Sequence, residues 1–117
     1  MESPFMVKGS FVLVSFPFEN QNIKKVRPAI CLSNPIGEHR HIIVAFISSR
    51  IPIKVDIGDI HFKKEDIGFD ISGLKVDSVI KTYKLISIPE NLIIRRIGKA
   101  GIDLTNQIEN NLKSILF

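Results

Sequence analysis

Hydrophobic positions along the chain come in short β-branched bursts separated by turn-forming residues, which is the periodicity of strands rather than helices. Phe11-Val12-Leu13-Val14-Ser15-Phe16 predicts a first strand, stopped by Pro17. The polar stretch from Phe18 to Val26 reads as a long exposed hairpin loop carrying Lys24 and Lys25. Ala29 to Ser33 predicts a second strand, Asn34-Pro35-Ile36-Gly37 a turn, and His41 to Ile47 a third strand, so three antiparallel strands in series form a meander. After the break at Ser48-Ser49-Arg50-Ile51-Pro52, Ile53, Val55 and Ile57 alternate with Lys54 and Asp56 and predict a half-exposed fourth strand. Lys63 to Asp77 has no sustained period and reads as loop with one helical turn. Two further strands are predicted: one from Ser78 to Ile86 through Tyr83, and one from Leu92 to Gly98 after the Pro89-Glu90-Asn91 turn.

Helical periodicity is sustained only near the C-terminus. Leu104, Ile108, Leu112, Ile115 and Leu116 repeat at spacings of 4, 4, 3 and 1, with Asp103 as the expected N-cap. Several short strands and one amphipathic helix predict a mainly β fold, a small barrel or curled sheet whose open side the helix covers.

Composition narrows the classes of function. The 117 residues are 44% hydrophobic, enough for one packed core, and no repeat or linker divides them, so a single domain over 1–117 is expected. Lys and Arg number 16 against 12 Asp and Glu, and the resulting +4 favours an anionic partner. The longest apolar run, Ile42 to Ile47, is far shorter than the roughly 20 residues of a spanning helix, and Met1 to Ser10 has no signal-peptide core, so no membrane association and a cytoplasmic location are expected. Cys31, the only cysteine, lies in an apolar run and reads as a small buried filler rather than a nucleophile. His39, His41 and His61 form no metal-ligand spacing, and His39 and His41 read as solvated polar residues.

The dipeptide Arg27-Pro28 carries the most chemistry. Proline fixes the backbone and lacks a donor, which suits a strand entry rather than a strand centre and holds Arg27 at a loop-to-strand edge. A guanidinium there can fork two bonds to a phosphate and stabilise a pentacovalent phosphorane.

Lys8-Gly9-Ser10 and the following hydrophobic strand ending in Phe16-Pro17-Phe18 are similar to the opening of PemK-type toxins. Arg27-Pro28-Ala29, Leu32-Ser33-Asn34, Ile47-Ser48-Ser49-Arg50-Ile51-Pro52, Gly73-Leu74, Ser78-Val79-Ile80, Lys84-Leu85 and Arg95-Arg96-Ile97-Gly98 follow in that family's order and spacing. Over nearly its whole length the chain therefore resembles the MazF/PemK toxins of type II toxin–antitoxin systems.

The resemblance implies an SH3-like β-barrel of the CcdB/PemK/MazF type with a C-terminal amphipathic helix, and a homodimer. It also implies a metal-independent endoribonuclease, with no cofactor, in which the 2′-hydroxyl of single-stranded RNA attacks the adjacent phosphate. Arg27 matches the family's catalytic arginine, and Ser48 stands where the family has a threonine. Serine keeps the hydroxyl but lacks the methyl group that restricts the rotamer, so poorer positioning is expected. Tyr83 replaces a frequent acidic residue and can stack on a base, as can Phe18. Lys24, Lys25, Ser49, Arg50, Lys54, Lys81 and Lys84 are the further expected RNA contacts, a track whose binding weakens with salt. Arg95 and Arg96 alternate faces on their strand and read as structural or dimer-associated, outside the site. No general base is evident, His39, His41 and Tyr83 being weak candidates. The implied protein partner is an antitoxin whose acidic disordered tail covers the basic groove. Two alternatives share the fold: a CcdB-like toxin that binds gyrase and cuts nothing, and a barrel that binds RNA or protein without catalysis.

Overall fold

A computed structural model describes residues 7–18 and 21–117, with side chains for 7–15 and 25–117. Strands β1 (Ser10–Phe18), β2 (Gln21–Cys31), β3 (His41–Ser48), β4 (Asp59–Phe62), β5 (Ser78–Pro89) and β6 (Ile93–Lys99) form one antiparallel sheet in the order β4-β5-β3-β2-β1-β6. Helix α1 (Phe69–Ser72) precedes β5, a 3-10 turn at Glu90–Leu92 links β5 to β6, and α2 (Ile102–Leu116) ends the chain. The fold is mainly β with one long C-terminal helix, and the β1-β2-β3 meander is as predicted. Among the described residues no pairing joins β4 to β6, so the ladder has two end strands.

Alternation on the strands feeds two apolar layers. Phe11, Ile30, Ala45, Ile47, Ile60, Phe62 and Ile80 pack with Phe69 of α1 and with Leu104 and Ile108 of α2. The opposite face carries Val12, Val14, Ala29, Cys31, Ile42, Val44 and Ile88. Each large side chain removed from water contributes about 1.5–3 kcal/mol. Phe62 joins sheet to helix, with its ring centroid 6.2 Å from Phe11 and 5.2 Å from Phe69. The period read in α2 is the buried one: Leu104 and Ile108 are in the core and Leu112 packs against it.

Four local expectations are corrected. Strand β1 passes through Pro17 to Phe18, and β2 begins at Gln21, so the stretch from Phe18 to Val26 is mostly strand rather than a long loop. Both prolines are tolerated because, among the described residues, one edge of their strand is unpaired there: β6 pairs with β1 only up to Val14, and β3 pairs with β2 only from Ala29. Pro28 is accordingly within β2, facing Leu13, and not at its entry. The stretch 51–58 is irregular, with Ile53, Val55 and Ile57 all strongly exposed, and the fourth strand is β4 beyond it; alternation marks a strand only when one face finds a core to bury against. Asp103 lies inside the first turn of α2, where its charge complements the helix dipole, and Gly101 is the N-cap.

Among the described residues no helix is long and apolar enough to cross a membrane. Cys31 is buried, as expected, and burial raises its thiol pKa from 9.0 to about 11. The unfolded chain loses that proton near pH 9 while the folded chain keeps it. Stability is therefore expected to fall between about pH 9 and 11, by about 3 kcal/mol from this group at about 1.4 kcal/mol per unit. Urea unfolding of wild type and Cys31→Ala across that range checks this; an equal alkaline loss in both proteins would contradict it.

Candidate active-site cleft

The β2–β3 ladder consists of only three pairs, Ala29↔Phe46, Ile30↔Ala45 and Cys31↔Val44. Continuing its register two residues past the last pair sets Arg27 opposite Ser48, on one face of the sheet. The strands are no longer bonded there, and a cleft of about 670 Å³ opens, lined by both residues. Leu13, Pro28, Ile47 and Ile97 supply its apolar lining. Its far wall is the segment from Gly73 to Val76 that follows α1.

That wall is fixed by close backbone contact. Gly73 has φ 79°, a left-handed conformation, and a Cβ added to it would lie 2.1 Å from the Ile97 carbonyl oxygen. A Cβ on Gly98 would lie 2.3 Å from the carbonyl of Ser72. Buried Ser72 closes the turn, its hydroxyl donating to the Phe69 carbonyl at 2.6 Å and accepting from the Leu74 N–H at 3.1 Å.

Five basic residues, Lys25, Arg27, Arg50, Lys75 and Arg95, line the cleft, and no carboxylate does among the described residues. Such a cavity concentrates positive potential and favours an anion. The Ser48 hydroxyl accepts a bond from the Arg50 N–H at 3.1 Å. Its proton remains free to donate to a phosphate oxygen, and the bond restrains the rotamer that the missing methyl group leaves loose.

The family model for the PemK-like, MazF-like toxins of type II toxin–antitoxin systems matches residues 7–116. The chain belongs to that family. No curated protein matches it. Among solved structures the toxin is similar to Mycobacterium tuberculosis toxin MazF-mt6, with TM-score 0.64 and 16% identity over 90% of this chain and 93% of that one. It is also similar to MazE-MazF from Deinococcus radiodurans, with TM-score 0.60 and 16% identity over 92% of each chain. At that identity the two structures speak for the fold.

Of the residues singled out in the sequence, the toxin brings Arg27, Ser48, Lys25, Ser49 and Arg50 to the cleft. Phe18 and Lys24 lie outside the described side chains. Tyr83, Lys81, Lys84 and Lys54 do not line it. Tyr83 instead centres a separate group: its hydroxyl is 3.4 Å from Asp56, and the Lys81 and Lys84 ammonium groups lie 5.7 and 5.8 Å from its ring. Lys81 also bonds at 3.4 Å to the buried carboxylate of Asp59, which gives it a structural task. Of the weak base candidates, His41 contacts the Ser87 hydroxyl at 3.2 Å, and neither His39 nor His41 reaches the cleft.

Sequence reasoning missed Lys75 and set Arg95 aside. The alternation rule did allow one member of the Arg95-Arg96 pair to face the site, and it is Arg95, which lines the cleft beside its strand partner Leu13.

Proposed function

We propose that this toxin is a sequence-selective endoribonuclease that cuts single-stranded RNA, mRNA included, in the cytoplasm. The observation that carries the reading is that Arg27 and Ser48 together line the unpaired mouth of a cleft rich in cations and lined by no described carboxylate. The proposed step is transesterification. The 2′-hydroxyl gives up its proton, its oxygen bonds to phosphorus, and the bond to the 5′-oxygen breaks as that oxygen takes up a proton. A cyclic phosphate and a 5′-hydroxyl end result. Arg27 holds the equatorial oxygens of the phosphorane by a forked charge-assisted pair, and Ser48 donates to one of them. Lys25, Ser49 and Arg50 steady the flanking backbone, and the Tyr83 group, with Lys81, Lys84 and Lys54, offers a more distant stacking and charge contact.

A homodimer and an antitoxin partner belong to the same reading. The family description supports an antitoxin, as does the likeness to a structure of MazE with MazF. An acidic antitoxin tail suits the cationic cleft.

The test is to incubate the purified protein with a long single-stranded RNA in EDTA and map the ends. Cleavage leaving cyclic phosphates and 5′-hydroxyls is the expected result. Intact RNA would refute the reading, and gyrase inhibition without RNA cleavage would replace it with the CcdB-like one.

A further inference from the structure

We propose that Arg95, flanked by Lys75, forms a second phosphate subsite in the cleft. It takes the phosphodiester next to the one held by Arg27 and Ser48, and so fixes the path of the strand. The inference rests on the single-stranded RNA reading above.

Strands β2 and β6 flank β1, two interstrand spacings or about 10 Å apart. Val14 pairs with Arg27 on one side, and its neighbour Leu13 pairs with Arg95 on the other. The two guanidinium-bearing positions are thus one residue out of step across a single strand, and both line the same cleft. By register, Arg27 shares a face with Val14, while Arg95 shares the opposite face with Leu13. The two groups therefore approach the cleft from different sides rather than stacking as one clamp. Lys75, on the wall held by Gly73 against Ile97, adds a second cation on the Arg95 side.

Charge makes the same point. Arg40 is paired with Glu90, Lys81 with Asp59, and Arg96 donates to the Gly98 carbonyl. The side chains of Arg95 and Lys75 are exposed and make no hydrogen bond or ion pair with a described residue. Cations gathered in one cleft repel one another, and an anion spanning the cleft relieves that repulsion on both sides. A phosphodiester strand supplies two such charges in succession; a lone phosphate at Arg27 leaves the Arg95 side uncompensated.

The test is a set of binding titrations with the full-length protein. The probe is the all-2′-deoxy version of the sequence mapped by the cleavage assay, with single phosphates replaced in turn by neutral methylphosphonates. In wild type, neutralising the phosphate next to the cleaved one is expected to weaken binding about tenfold. Arg95→Ala is expected to weaken binding of the unmodified strand by a similar factor, to lower the salt slope by about 0.7, and to become insensitive to that neutral linkage. Lys75→Ala should show a smaller effect of the same kind, and Arg96→Ala should bind as wild type. If Arg95→Ala remains as sensitive to the flanking linkage as wild type, or is coupled to the cleaved phosphate instead, the subsite is wrong and the nuclease reading stands. If wild type neither cuts RNA nor binds the probe, both readings fail.

Discussion

Arg27→Ala is expected to slow RNA cleavage by about 10²–10³-fold, the range seen when one donor to a developing oxyanion is removed. Arg27 is exposed and lies outside both apolar layers, so the change in folding stability should stay within about 0.5 kcal/mol. Rate and stability should therefore separate. Arg27→Lys keeps the charge but not the planar fork, and an intermediate rate is expected. Single-turnover cleavage of a mapped oligonucleotide, with a thermal melt of each variant, reads both quantities. An Arg27→Ala protein cutting at the wild-type rate would remove the guanidinium from the mechanism. The companion change Ser48→Thr tests the restraint on the hydroxyl. The bond from the Arg50 N–H already limits its rotation, so the added methyl group should alter the rate by only a few fold.

Gly73→Ala is expected to cost at least about 3 kcal/mol. The left-handed backbone accounts for about 1–2 kcal/mol of this, and the remainder comes from a Cβ placed 2.1 Å from the Ile97 carbonyl oxygen. Gly73→Asn separates the two contributions. Asparagine tolerates the left-handed region better but brings the same Cβ, so it should be nearly as damaging as alanine. Denaturant unfolding measures the loss. A Gly73→Ala protein within about 1 kcal/mol of wild type would mean that the cleft wall does not rest on β6 as described. Since the residues after Gly73 form that wall, substrate binding should weaken at temperatures where the variant remains folded.

What the sequence revealed depended on how local the cause was. Helix α2 was legible because its apolar stripe is a property of a single segment, and the meander because turn residues sit between its strands. The extent of β1 and β2 was not legible. Whether Pro17 and Pro28 end a strand depends on which edge is free, and that is decided by how far β6 and β3 run alongside. The stretch from Ile53 to Ile57 had the right alternation but nothing to bury against. The cleft was partly legible. Arg27 was marked by its place before Pro28 as well as by resemblance, Ser48 by resemblance alone, and the register then sets both on one face at the cleft. Arg95 could not be assigned because a strand's pattern defines two faces without naming them; the lining of the cleft is needed to choose. Tyr83 and its lysines sat close in sequence to residues of the cleft, yet β5 carries them past it to Asp56 and Asp59.

The early separation of β2 from β3 has an evolutionary corollary. Past Ala29 the two jaws share no ladder bonds, so a side chain changed at Arg27 or Ser48 breaks little that holds the protein together. Potency and fold can drift independently here. On the nuclease reading, a single substitution there would slow cleavage while leaving the fold intact.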